Sequence, residues 1–311
     1  MERPILSARG AAGYLEALDN VLLLTHVRPD GDTIGSAAAL CRALRDCGQT
    51  AYLLPNPEIT ATYAPYAAPY WAPEGWQAEH IVSVDIADAS LLPENAQSYR
   101  DRIELAIDHH PSQTFFARNT CLEADSAACG EIVYEIIQHL TALTADIALP
   151  LYVAVSTDCG GFQYGNTTAR THRIAAALMD VVDVAAVNKA LFRTKSRVRL
   201  AMESRMVADM KLFDHQRVVV MEIPLSLRQE MQATDADIEE LSALPALVEG
   251  TDCGVTLREL RPGTVKVSVR TGPRVDACAL CRILGGGGHH AASGATVEGT
   301  LDEARMAVLA A

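Results

Sequence analysis

Short apolar runs alternate with segments of helical periodicity through the first half of the chain. Residues 33–47 and 131–143 place apolar side chains at intervals of three or four, which predicts amphipathic helices. The runs between them are β-branched and bounded by turn residues, as is typical of buried parallel strands. The alternation predicts an α/β fold with a mostly parallel, doubly wound sheet. The four predicted strands are residues 21–26, 80–85, 103–107 and 151–158.

The pattern changes beyond the first half of the chain. Residues 188–213 look helical, carry several basic residues and predict a long connector. Strand-like runs resume near 217–223, 252–259 and 264–270 and lead to a glycine-rich segment, which predicts a smaller α+β domain. The predicted organisation is a first domain at 1–187, a helical connector at 188–213 and a second domain at 214–311.

Residues 54–76 combine prolines with tyrosines and tryptophans. That composition is incompatible with one continuous helix or a central strand. A structured surface excursion that packs its own aromatic residues is the usual behaviour of a long loop. The alternative is a partner surface or a lid whose aromatic rings stack on a base.

Composition and charge narrow the class of protein. The chain has 311 residues, enough for two compact domains, and its formal net charge is −13. Such a charge argues against binding long duplex nucleic acid through a general phosphate field, so a nucleic-acid substrate is expected to be short. The eight cysteines are scattered, which predicts a reduced, cytoplasmic setting. No stretch approaches the roughly 20 apolar residues that span a bilayer, so no membrane partner is expected.

The predicted strands end on side chains that bind metal ions. Because ligands bind outside the carboxyl ends of parallel strands, these side chains are expected to meet in one crevice. Mixed carboxylate and imidazole ligands suit Mn²⁺, with Mg²⁺, Co²⁺ or Fe²⁺ as alternatives. Two neighbouring cations can activate water and hold phosphoryl oxygens, which predicts phosphoester or phosphoanhydride hydrolysis. The candidate residues are His26, Asp30, Asp32, Asp85, Asp108, His109, His110 and Asp158.

Asp30 and Asp32 form a closely spaced pair among these candidates. In an extended segment their carboxylates point to one side, and Gly31 permits a tight bend between them.

These residues resemble the motifs of the DHH phosphoesterases, a family named for the triplet at residues 108–110. Residues 25–36 resemble its first motif, Val84 and Asp85 its second, and residues 156–162 its fourth. The resemblance implies that Asp108 orients ligands and that His110 faces the substrate phosphate as a donor or proton source. A histidine merely hydrogen-bonded beside the site is the alternative for His110. The implied ligands are His26, Asp30 and Asp85 for one metal, and Asp32, Asp85, His109 and Asp158 for the other.

The second domain resembles the DHHA1 substrate-binding domain of one branch of this family. Its signature Gly-Gly-Gly-His-x-x-Ala-Ser-Gly is similar to residues 286–294. Glycines let backbone amides approach an anionic ligand, and Arg270 is a candidate for binding a 5′ phosphate. The candidate substrate-binding residues are Arg270, Gly286, Gly287, Gly288, His289 and Ser293.

Within the family, the resemblance is to small enzymes that act as nano-RNases and as 3′-phosphoadenosine 5′-phosphate phosphatases. It implies an Mn²⁺-dependent phosphoesterase with two metal ions. Its expected substrates are oligonucleotides of a few residues, RNA or DNA, or nucleotide bisphosphates. A stand-alone phosphodiesterase for linear dinucleotides derived from cyclic ones is one alternative. A non-catalytic nucleotide-binding sensor is another, and the choice between a monomer and a homodimer stays open.

Overall fold

The computed structural model describes residues 4–288 and 290–311. The chain separates into two compact units, Met1–Thr194 and Lys195–Ala311. None of the helices in the described ranges is both long and apolar enough to cross a membrane.

Unit 1 contains a five-stranded parallel sheet of order β2-β1-β3-β4-β5. Alternate residues of each strand face opposite sides, and both sides are buried. Leu23 and Val82 contribute to one apolar core, whereas Leu22 and Ile81 contribute to the other. The predicted α/β class with a parallel sheet is therefore confirmed. The strands are β1 (Val21–Leu24), β2 (Ala51–Leu53), β3 (His80–Val84), β4 (Ile103–Asp108) and β5 (Asn119–Leu122).

Seven helices belong to unit 1 within the described residues, besides short 3₁₀ segments. They are α1 (Ala8–Glu16), α2 (Gly31–Asp46), α3 (Ala64–Ala67), α4 (Cys129–Leu140), α5 (Ala145–Asp158), α6 (Ala169–Met179) and α7 (Ala185–Asn188). Helices α2 and α4 match the two amphipathic helices predicted from periodicity.

Helix α5 corrects one prediction. Residues 151–158 were expected to form a strand, yet they are the second half of this helix. Every residue from Leu151 to Ser156 is buried, so the run is apolar on all sides. A uniformly apolar run of this length has no periodicity that distinguishes a buried helix from a buried strand.

The proline-rich segment 54–76 is structured and packs its aromatic residues. It contains α3 and a 3₁₀ turn at Ala68–Tyr70. Tyr70 is buried, and Trp76 meets Tyr52 edge-on with ring centroids 4.9 Å apart. The packing matches the first of the two interpretations of this segment.

Unit 2 contains a mixed six-stranded sheet of order β10-β11-β9-β8-β7-β6. The strands are β6 (Lys211–Phe213), β7 (Val218–Ile223), β8 (Cys253–Arg261), β9 (Thr264–Thr271), β10 (Gly287–Gly288) and β11 (Ala292–Glu298). The helices are α8 (Arg197–Ala208), α9 (Leu225–Glu230), α10 (Asp235–Ile238), α11 (Ala277–Ile283) and α12 (Leu301–Ala310).

Residues 188–213 are helical only in part. A π-helical turn at Lys189–Arg193 follows α7, and Ser196 then caps a new helix, α8, by accepting a hydrogen bond from the Arg199 amide. Strand β6 occupies the end of the segment. The segment predicted as one connector is thus divided between the two units at Thr194 and Lys195.

Candidate metal centre

The predicted metal ligands gather at the carboxyl edge of the parallel sheet. His26 follows β1, Asp85 follows β3, and Asp108 is the last residue of β4. This edge is where ligands bind in open α/β sheets.

The start of α2 fixes the positions of Asp30 and Asp32. Asp30 is the N-cap, and its Oδ1 accepts hydrogen bonds from the Asp32 and Thr33 amides at 3.0 and 3.2 Å. Asp32 therefore lies in the first helical turn and not in the extended segment that was expected. Gly31 is required between them, because a Cβ there would come within 2.3 Å of the Thr157 Oγ1. Close packing against Thr157, and not only a bend, explains the glycine.

A second helix start holds the Asp32 carboxylate. The amides of Cys129 and Gly130, in the first turn of α4, donate to Asp32 Oδ2 and Oδ1 at 2.6 and 2.9 Å. Ser36 Oγ also donates to Oδ1, at 3.0 Å. Helix N-termini favour negative charge, so α4 supports Asp32 as a carboxylate.

Asp85 lies at the centre of the cluster. Its backbone is left-handed, with φ of 61°, and its side chain is 3% exposed. Its Oδ2 is 3.7 Å from His26 Nε2, and its Oδ1 is 3.5 Å from both His109 Nε2 and His110 Nδ1. Oδ1 is buried, and no hydrogen bond to it is found among the described residues. An unpaired buried carboxylate oxygen is costly, so this atom fits the role of a metal ligand.

His109 joins Asp85 to the remaining ligands. Its Nδ1 is 3.1 Å from the Ser126 carbonyl, a contact that assigns the proton to Nδ1 and leaves Nε2 as a ligand atom. Nε2 is 3.8 Å from Asp32 Oδ2 and 3.8 Å from Asp158 Oδ2. The ligand atoms of Asp32, His109 and Asp158 lie within 4.8 Å of one another.

The other ligand groups overlap at Asp85. One consists of His26, Asp30 and Asp85, and another of Asp85, His109 and His110, each with ligand atoms within 4.8 Å. Together the three groups contain all six predicted ligands. Asp85 belongs to two of the groups, and His109 connects Asp85 to Asp32 and Asp158.

Asp108 contacts the cluster through His110. It is fully buried, and its Oδ1 accepts from the His109 amide at 2.9 Å and lies 2.8 Å from His110 Nδ1. Its Oδ2 accepts from Gln113 Nε2 at 2.7 Å. Gln113 also donates to the Ile86 carbonyl at 2.9 Å. Gln113 is a supporting residue that sequence reasoning missed, and only its position just after the triplet hints at this contact.

The electrostatics of the cluster favour cation binding. Burial raises the pKa of Asp32 and of Asp85 well above the usual carboxylate range, and repulsion from neighbouring aspartates raises both further. Burial would lower the pKa of His110, but the hydrogen bond and charge of Asp108 outweigh it and raise that pKa. Excess negative charge in a buried cluster is relieved by metal ions.

An ionic network behind His109 was also missed from the sequence. Arg170, in α6, donates to Glu123 Oε2 at 2.9 Å and to Ser126 Oγ at 3.1 Å. It also lies 3.7 Å from the fully buried Glu131. This network fixes Ser126, whose carbonyl contacts His109. Outer contacts of this kind orient metal ligands.

The glycine-rich segment of unit 2 forms one wall of a cavity. Gly287 and Gly288 form β10 and pair with Gly294 and Ser293 of β11. Gly288 has φ of 145°, and a Cβ there would come within 2.6 Å of Ser293 Oγ. The cavity has a volume of about 400 Å³ and is also lined by Arg258, Lys266, Ser268 and Arg270.

Two further substrate-binding candidates are described, Gly286 and Arg270. Gly286 precedes β10, and its amide donates to the Cys281 carbonyl at 2.8 Å. The Arg270 guanidinium donates to the Val269 carbonyl at 3.0 Å. His289 lies outside the described residues. An anionic ligand suits a cavity with this lining of cationic side chains and hydroxyls.

Comparisons with known proteins identify the family of this chain. The N-terminal domain of the DHH family matches residues 20–155. The bifunctional oligoribonuclease and PAP phosphatase NrnA of Thermus thermophilus is 32% identical over 310 residues, covering 97% of this chain and 92% of that protein. The protein of that name from Bacillus subtilis is 24% identical over 288 residues, covering 90% of each.

A solved structure supports the fold. The exopolyphosphatase-related protein from Bacteroides fragilis is 21% identical to this chain. The match covers 97% of this chain and 95% of that one, with a TM-score of 0.87. At this identity, the match concerns the fold alone.

Proposed function

Because the chain belongs to the DHH family and is a phosphoesterase, we propose that it hydrolyses oligoribonucleotides of a few residues to mononucleotides and 3′-phosphoadenosine 5′-phosphate to AMP and phosphate. The relatives from Thermus thermophilus and Bacillus subtilis carry both activities in their names. The first of them matches nearly the whole of both chains.

The observation that carries this proposal is the buried Asp85 Oδ1, which accepts no hydrogen bond from any described residue and lies 3.5 Å from ring nitrogens of two histidines. Carboxylates and imidazoles together suit Mn²⁺, with Mg²⁺, Co²⁺ or Fe²⁺ as weaker fits. His26, Asp30 and Asp85 would hold one ion, and Asp32, Asp85, His109 and Asp158 would hold the other. A pair of divalent cations supplies Lewis acidity and a nucleophilic water at neutral pH.

The protein's own groups then orient the substrate and move a proton. Asp108 holds Nδ1 of His110, so the opposite nitrogen, Nε2, is available to the substrate. With Asp108 beside Nδ1, a protonated His110 ring can donate from Nε2 to a phosphoryl oxygen or to the departing alkoxide. Gln113 keeps Asp108 in place from the other side.

The cavity of unit 2 is proposed to bind a phosphate of the substrate. Arg270 and the backbone of Gly287 and Gly288 would contact a terminal phosphate, together with Ser293 and His289. Gly286, whose amide donates to the Cys281 carbonyl, would position the segment. Glycine has no side chain, so its backbone amide can approach anionic oxygens closely. Recognition of a terminal phosphate would favour short substrates over internal positions of a long strand.

Product analysis on a matched panel tests the proposal. Purified protein with Mn²⁺ would be given 5′-phosphorylated RNAs of increasing length, 3′-phosphoadenosine 5′-phosphate and pyrophosphate. Mononucleotide release from the shortest RNAs, lost with chelator and with Asp158→Asn, is the expected result. Retained binding of nucleotides without turnover would favour the sensor alternative. Cleavage of pyrophosphate alone would contradict the proposed substrate class.

A further inference from the structure

The loop that follows α5 has an unusual backbone. Gly160, Gly161 and Phe162 are three consecutive residues with positive φ, at 54°, 66° and 67°. Two glycines adopt this conformation at little cost, but Phe162 does not. A side chain held in this region indicates that surrounding contacts enforce the conformation, and such residues cluster at functional sites.

The contacts that enforce this conformation fix the loop at both ends. The Phe162 ring stacks on His172 with centroids 5.5 Å apart and lies 6.0 Å from the Tyr152 ring. Further along, the Asn166 amide group donates to the Asp158 carbonyl at 3.1 Å and to the Ala127 carbonyl at 2.9 Å. The loop is therefore tied to α5, to α6 and to the segment that leads into α4.

Tyr164 is the exposed tyrosine of this fixed loop. It is 60% exposed, and it is the one exposed residue among the phenylalanines, tyrosines and tryptophans that the structure describes. Its amide donates to the Cys159 carbonyl at 3.1 Å. A Cβ at Gly160 would come within 2.4 Å of the Tyr164 ring, so the ring rests on the bare backbone there.

The loop that carries this ring begins directly after Asp158, one of the proposed metal ligands. Gly160, which supports the ring, is two residues after Asp158, whose carboxylate contacts His109. An exposed ring on a fixed loop lacks the stabilisation that burial of its apolar surface would give. The other phenylalanines, tyrosines and tryptophans that the structure describes are at least partly buried. A fixed ring, by contrast, binds a planar ligand with little further loss of conformational entropy.

We propose that Tyr164 is a substrate-binding residue whose ring stacks on a nucleobase of the oligonucleotide at the metal centre. The inference rests on the proposed function and specifies how that site recognises the substrate. Every base offers a π-face, so stacking tolerates any sequence and contributes about 1–3 kcal/mol per base. A nuclease that clears short fragments of mixed sequence benefits from such a contact.

Steady-state kinetics with base-deleted substrates test this proposal. The substrates are a 5′-phosphorylated diribonucleotide and two analogues in which one or the other nucleoside is an abasic ribose. Tyr164→Ala should raise KM for the intact dinucleotide by about 5- to 150-fold with little change in kcat. The variant should match the wild type on one of the abasic analogues. Tyr164→Phe keeps the ring and should behave like the wild type, and Tyr99→Ala serves as a control for loss of an unrelated tyrosine.

Two results would overturn the proposal while leaving the proposed function intact. One is an unchanged KM for Tyr164→Ala on the intact dinucleotide. The other is an equal loss on the intact and both abasic substrates, which would mean that Tyr164 only supports the loop.

Failure of the proposed function would be visible separately, as no turnover by the wild type. In that case, equilibrium binding of AMP and ribose 5-phosphate still decides the question. Tyr164→Ala should weaken AMP binding and leave ribose 5-phosphate unaffected, and equal affinities in both proteins would reject base stacking.

Discussion

Replacing Asp85 by asparagine should stabilise the metal-free protein while it abolishes activity. Asn is among the non-glycine residues that best tolerate the left-handed backbone found at Asp85, so the substitution changes charge with little strain. In the metal-free protein, Asp85 is a buried carboxylate among other carboxylates. Removing its charge relieves that repulsion, whereas removing a ligand disables the site.

The magnitude follows from the spacing of the carboxylates. Ligand oxygens of Asp85 and Asp30 lie within 4.8 Å of each other. At an effective dielectric constant of about 20, two unit charges at that distance repel by about 3 kcal/mol. Contacts with His26 and His109 offset part of this repulsion, so the expected net gain in the free energy of unfolding is about 1–2 kcal/mol. For a unit of this size, that gain corresponds to a rise in Tm of about 2–8 °C.

Thermal unfolding with chelator and with excess Mn²⁺ measures both effects. With chelator, Asp85→Asn should melt above the wild type. With Mn²⁺, the wild type should gain about 3 kcal/mol at a hundredfold excess over Kd, and the variant should gain much less. Asp88→Asn is the matched control, because Asp88 is an N-cap outside the cluster and Asn caps equally well. A destabilised Asp85→Asn protein that keeps the full Mn²⁺ response would show that Asp85 neither suffers charge repulsion nor binds the metal.

Three further substitutions test other parts of the site. Gly31→Ala forces a Cβ into contact with a neighbouring side chain, and it should lower stability by about 1–3 kcal/mol and kcat/KM by more than tenfold, as measured by thermal melts and kinetics. Gly13→Ala, with open space around it, should do neither. Arg170→Met should weaken Mn²⁺ binding by about 10- to 100-fold in equilibrium dialysis. Arg42→Met removes two ion pairs that involve none of the cluster residues, with Asp46 and Asp146, and should leave the affinity unchanged. Gly288→Ala should raise KM without altering Mn²⁺ affinity, and a parallel loss of both would contradict a role confined to substrate binding.

The chemistry of the site was more accessible from sequence than its supporting contacts. His26 and Asp85 are residues of metal-binding types that stand just after apolar strands. Their place in the site could therefore be predicted from the local pattern alone. Asp158 was assigned to the site although the run before it is helical and not a strand. The strand-end argument that first placed it there was therefore wrong about the secondary structure, whereas the family resemblance assigns Asp158 independently of it.

The residues that were missed act through contacts distant in sequence. Arg170 meets Glu123, which lies 47 positions earlier, and no local pattern signals such a pairing. The short strands β2 and β5 have only three and four residues, too few to show a period. Tyr164 was missed as well, because exposure is decided by how the surrounding loop is folded.

The most direct test of the proposed metal centre is an anomalous difference map from crystals grown with Mn²⁺. Two peaks are predicted, one among His26, Asp30 and Asp85 and the other among Asp32, His109 and Asp158, with Asp85 contacting both. Active protein without a peak at this cluster, or with manganese bound elsewhere in the chain, would contradict the proposed centre.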